Sequence, residues 1–131
     1  MKRTVLLVAA ICCGSVLTPV AALAHHSFAA EFDHDAKVKL TGIVTKVEWM
    51  NPHARFYVDV KDANGKVVNW NFELASPNVL MRQGWTRHSL KAGDKVTVEG
   101  FRARAAPHVG SARTVMLPNG KTVFAIAPPS K

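Results

Sequence analysis

Trp49-Met50-Asn51-Pro52-His53-Ala54-Arg55-Phe56-Tyr57-Val58-Asp59-Val60 is the stretch on which the reading of the whole chain turns. Asn51-Pro52 is a turn signal, because proline fixes its own φ and disfavours helix at the residue before it. A strictly alternating strand follows. Phe56, Val58 and Val60 point one way, while His53, Arg55, Tyr57 and Asp59 point the other, since successive strand side chains take opposite faces. One face can build a core; the other carries a row of polar groups.

Upstream, Lys37 to Trp49 reads as a long strand in which Val38, Leu40 and Val44 share a face. Further on the apolar positions become Val47 and Trp49, so the parity slips near Thr45-Lys46. Together with Gly42, that slip predicts a bulge or sharp bend, as at a barrel corner. Downstream, Asp62-Ala63-Asn64-Gly65 signals a tight hairpin. Val68, Trp70, Phe72 and Leu74 then alternate with Asn69, Asn71 and Glu73 in a third strand. Ser76-Pro77 opens a short helix with Ser76 as cap and Pro77 in its first turn, and Gly84 closes it. A fourth strand runs from Lys95 to Arg102. The small, basic stretch Arg102 to Ala112 reads as a mobile loop, and Thr114–Leu117 and Thr122–Ile126 form a second hairpin across Pro118-Asn119-Gly120.

This order predicts an all-β fold: a small five- to six-stranded OB-like barrel with one short helix between strands 3 and 4. A simple meander barrel is the alternative. A β-sandwich needs about seven strands, more than the chain readily supplies.

The first segment stands apart. Lys2 and Arg3 precede a largely apolar run from Val5 to Leu17, Pro19 interrupts it, and Ala22-Leu23-Ala24 is a cleavage signature. This is the pattern of a secretory signal peptide. The expected organisation is therefore a signal peptide over 1–24, an N-terminal arm over 25–36, one barrel domain over 37–127 and a tail over 128–131. Cleavage after Ala24 would leave 107 of the 131 residues and remove Cys12 and Cys13, the only cysteines. It would also remove two basic residues and no acid, lowering the formal charge from +8 to +6. The mature protein is expected in the periplasm or outside the cell, with no stable membrane anchor. A basic protein invites a nucleic-acid reading, but export removes that partner.

The starting His25-His26-Ser27-Phe28, the Trp49-Met50-Asn51-Pro52-His53 segment, the Trp70-Asn71-Phe72-Glu73 strand and the Gly93-Asp94-Lys95-Val96 turn resemble an uncharacterised family of small exported bacterial proteins, a domain of unknown function. The resemblance spans nearly the whole mature chain. It implies an exported OB-like module without an established activity, and it supplies no catalytic residues.

Two candidate sites come from the residues themselves. If cleavage leaves His25 first, its α-amine and one ring nitrogen can chelate a metal, and a further histidine completes a set of three nitrogens suited to Cu(II). His53, fixed behind Pro52, is the best third ligand; His26, His34 and His108 are alternatives. The second candidate is the polar face of strands 2 and 3. There Arg55, Tyr57, Asn69 and Asn71 could receive a periplasmic protein or an anionic glycan, as OB-type folds do with oligosaccharides. No catalytic constellation emerges. Ser27 beside His26 lacks an orienting acid, Asp59 and Glu73 would need a cleft to act as paired carboxylates, and the glycines are spaced as turns and bulges. An enzyme is the less favoured reading.

Overall fold

In a computed structural model, which describes residues 28–126, the chain forms six strands and one short helix: β1 (Phe32–Glu48), β2 (Arg55–Lys61), β3 (Val67–Glu73), α1 (Pro77–Arg82), β4 (Lys95–Ala103), β5 (Val109–Met116) and β6 (Thr122–Phe124). The segment read as a signal peptide (1–24), His25, His26, Ser27 and the segment read as a tail (128–131) lie outside the described residues. Antiparallel pairing runs β3-β2-β1-β4-β5-β6, and a parallel β3–β5 pairing brings the sheet back onto itself. Five strands therefore form a closed ring, β1-β2-β3-β5-β4, with β6 added to β5 as a hairpin. This is the connectivity expected of an OB-like barrel, and α1 sits between β3 and β4 as the sequence predicts.

The long first strand makes the ring possible. Its first part pairs with β4 and its last part with β2, and Ile43 has a partner on each side, Lys95 and Asp59. The expected parity slip is a bulge between Val44 and Lys46. Gly42 lies at the bend, where a Cβ would come within 2.2 Å of the Asp59 carbonyl oxygen. β1 begins at Phe32, five residues before the strand start read from the sequence, and residues 28–31 are helical. Phe32 is only 1% exposed and its ring packs against that of Phe28, so this segment is built into the fold.

The core fills the ring. Phe56, Val58, Phe72, Val98, Val115 and Leu80 are fully buried, and Phe72 lies between the rings of Phe56 and Trp70 at 5.6 Å from each. Trp70 and Trp85 are buried and Trp49 packs on the cluster, which makes all three tryptophans core residues. Ser76 caps α1 by accepting from the Val79 N–H. The helix is then fastened to the C-terminal hairpin: Trp85 Nε1 donates to the Phe124 carbonyl at 2.7 Å and Gln83 Nε2 to that of Ile126 at 2.8 Å.

A further expectation needs correcting. The segment from Arg102 to Ala112 is not one loop: β4 continues to Ala103 and β5 begins at Val109, leaving residues 104–108 as the connection. Val109, Gly110 and Ser111 pair with Asn71, Phe72 and Glu73 and so close the ring. Their small size follows from packing, because a Cβ on Gly110 would lie 2.8 Å from the Phe72 ring. No helix among the described residues is long and apolar enough to cross a membrane.

Candidate functional site

The polar side chains of β2 and β3 share the outer face of the ring, and the register decides who meets whom. Arg55 faces Glu73, Tyr57 faces Asn71 and Asp59 faces Asn69. On the β1 side the bulge places Lys46 opposite Tyr57 and Glu48 opposite Arg55. Asp59 and Glu73 therefore do not meet: each has a partner on the opposite strand, four residues apart, so they form no carboxylate pair.

The strongest cluster gathers around Glu73, which is only 9% exposed despite facing outward. Arg55 donates from its guanidinium to one carboxylate oxygen, and His53 Nδ1 lies 3.2 Å from the other. His53 Nδ1 is also 3.1 Å from the Leu74 carbonyl oxygen. A carbonyl can only accept, so Nδ1 must carry a proton there. In the neutral ring the lone pair is then on Nε2. The His53 side chain is 49% exposed, which leaves room for a ligand to approach. The loop that holds it is short, contains a cis Asn51-Pro52 peptide, and is pinned by hydrogen bonds between Ala54 and the backbone of Leu74 and Ala75.

The remainder of the face is engaged internally. Lys46 pairs with Glu48 at 2.5 Å and lies over the Tyr57 ring, whose hydroxyl donates to Glu48 at 3.3 Å. The Lys46 hydrogen bond holds the Glu48 carboxyl below the usual glutamate range, and Glu48 in turn raises Lys46. Asn69 donates to Asp59 at 2.8 Å and to the Thr45 hydroxyl at 3.2 Å. Only Asn71 has an idle group: its Oδ1 is buried and accepts no hydrogen bond among the described residues. Lys46 and Glu48 escaped the sequence reading because the bulge, and not simple alternation, brings them beside Tyr57.

The other histidines are dispersed. His34 stands on β1 between the rings of Phe28 and Phe101, at 5.2 and 5.1 Å. His108, in the β4–β5 connection, meets the Trp70 ring edge-on at 5.5 Å. Among the described residues no three His, Cys, Asp or Glu side chains are grouped so as to hold a metal ion. His34 and His108 are thus not grouped with His53.

The sequence model of a family of unknown function (DUF6152) matches residues 13–112. The chain belongs to that family. The DUF6152 match covers β1 to β4, α1 and the start of β5, and so includes the strands that close the ring and the whole Glu73 cluster. No curated protein matches the chain. Membership in DUF6152 brings no activity with it, so function has to be argued from side chains.

Proposed function

We propose that the protein is a small exported binding module that holds copper at the β1–β2 loop. The ligands are the Nε2 of His53 together with the α-amine and a ring nitrogen of His25, freed when the signal peptide is removed behind Ala24. One observation supports the reading: His53 is held through Nδ1, which leaves Nε2 turned to a ligand's use. Its Nδ1–H is tied to the Leu74 carbonyl beside Glu73. Ligating histidines characteristically donate their second ring N–H to a carbonyl or carboxylate, which fixes the tautomer and raises ligand basicity. Arg55 in turn fixes Glu73. Three nitrogen donors suit Cu(II), which also heads the affinity order of the divalent first-row metals.

Chain reach sets a condition on the same reading. Phe28 packs beside His34, and His34 against Phe101. Phe101, Ser111 and Glu73 occupy successive positions across β4, β5 and β3. Two strand spacings amount to about 10 Å, the three residues from Phe28 back to His25 span about 10 Å when extended, and the copper site requires that they run from Phe28 toward β3.

The test is a Cu(II) titration of naturally exported and cleaved protein, whose first residue is established by mass spectrometry, beside a version with one extra glycine ahead of His25. One-to-one binding that needs the free His25 amine and falls sharply in His53→Ala is the expected result, with nitrogen couplings in the electron paramagnetic resonance spectrum. Equal, weak binding by all three proteins refutes the site.

A further inference from the structure

A second surface of the ring has a different chemistry. β1, β4 and β5 together form an open groove of about 400 Å³, lined by Lys37, Val38, Lys39, Glu99, Gly100, Phe101 and Arg113. Three cations stand there against one carboxylate. Lys39 pairs with Glu99 at 2.8 Å. That hydrogen bond, with Arg113 contributing less, keeps Glu99 below the usual glutamate range and therefore ionised. Among the described residues Lys37 and Arg113 form no ion pair.

Phe101 stands between these two cations. Its strand neighbours are Lys37 on β1 and Ser111 on β5, the latter two positions before Arg113. The backbones that carry Lys37 and Arg113 are separated by β4, hence by about 10 Å. The ring itself is braced: His34 packs edge-on against Phe101, and Phe28 packs on His34. A braced apolar ring flanked by two cations that stand outside any ion pair, in a shallow and open groove, fits a flat ligand that carries an apolar face and anionic groups at its margins. The β2–β3 face offers anions much less, because Arg55 and Lys46 are already neutralised by Glu73 and Glu48.

We infer that the β1–β4–β5 groove binds an acidic oligosaccharide, with one sugar ring packed on Phe101 and its carboxylates held by Lys37 and Arg113. Nucleic acid shares the combination of rings and anionic groups, but single-stranded nucleic acids are held by successive stacking platforms, and this groove supplies one. The inference is independent of the copper site, since the two share no residue.

The experiment titrates metal-free protein with a trigalacturonate by calorimetry and repeats it with Lys37→Gln/Arg113→Gln, Phe101→Leu and Lys61→Gln/Lys66→Gln, the last pair removing two charges from the far end of β2 and its turn. The expected result is saturable binding weakened about tenfold or more by Lys37→Gln/Arg113→Gln. Phe101→Leu weakens it about fivefold, and the distant pair about twofold or less. The exposed lysine and arginine changes leave the core untouched and so decide the question even if Phe101→Leu perturbs folding. No binding by the wild type overturns the inference, as does equal weakening by both charge pairs, equal binding of a neutral trisaccharide, or tighter binding of a short DNA strand.

Discussion

Gly110→Ala asks whether the ring closes where β5 meets β3. A Cβ on Gly110 would sit 2.8 Å from Phe72 Cε1, 3.1 Å from Phe72 Cδ1 and 2.9 Å from the Phe101 carbonyl oxygen. The main obstacle is thus an aromatic ring that is itself held between Phe56 and Trp70 and cannot swing away. Overpacking of this kind costs about 1–3 kcal/mol; about 2 kcal/mol is expected, which lowers the melting midpoint by roughly 8–16 °C. Phe72→Leu shortens the side chain and is expected to cost about 1–2 kcal/mol by itself. In the double variant the ring contact is gone and only the carbonyl remains close, so the added methyl becomes much cheaper. The two changes should couple favourably by about 1–1.5 kcal/mol, within the range seen for residues in contact. Urea denaturation of the four proteins measures that coupling directly. Additivity to within about 0.5 kcal/mol would mean that Phe72 does not rest on Gly110, and the argument for ring closure at this position would fail.

Trp85→Phe keeps most of the buried aromatic volume but leaves the Phe124 carbonyl without its donor at 2.7 Å; stability should fall by about 1–2 kcal/mol, read by thermal unfolding. Ser76→Ala removes the cap of α1, whose bond to Val79 N is long at 3.5 Å, so the loss should stay near about 0.5–1 kcal/mol in the same assay. Glu99 should titrate below an ordinary glutamate in carboxyl-detected NMR, because Lys39 stabilises its charged form. A depressed folded-state pKa contributes stability above the unfolded-state value and loses it as pH falls through the folded one. Lys39→Gln should therefore move the midpoint upward and flatten the acid limb of the stability curve; an unchanged midpoint would show that the pair does not persist in solution.

Alternation is readable wherever a strand has one dry and one wet face. β2 and β3 satisfy that condition, and their hairpin turn and the bulge near Thr45 follow from residue types alone, whereas the register that sets Asp59 against Asn69 and Arg55 against Glu73 does not. β5 does not satisfy it. Gly110 lies under Phe72, and a Cβ on Gly100 would come within 2.0 Å of the Ser111 carbonyl oxygen. Close backbone approach thus demands small residues, and a run of small residues looks like a loop. Residues 32–36 lack a period for a related reason: Phe32 is buried while its neighbours Asp33, His34 and Asp35 line the surface. The candidate site was half legible. The outward row of β2 and β3 could be written down in advance, but the contact of His53 with Glu73 depends on how a turn is pinned to Leu74. The groove around Phe101 draws single residues from three strands, and no local pattern announces such an assembly.

The sharing of β1 between two partner strands also sets the order in which the ring can form. The Thr41 hydroxyl hydrogen bonds with that of Thr97, 56 positions later in the sequence. The first half of β1 therefore has to find β4 across most of the chain, while its other half pairs with β2 over a much shorter separation. Long-range pairing of this kind makes folding slow, and an unpaired strand edge invites wrong partners. Asp33, Asp35, Lys37 and Lys39 occur in the waiting half. Charges of this kind are a standard protection for open strand edges, so the lysines that line the groove of the finished protein also shield the unfinished one.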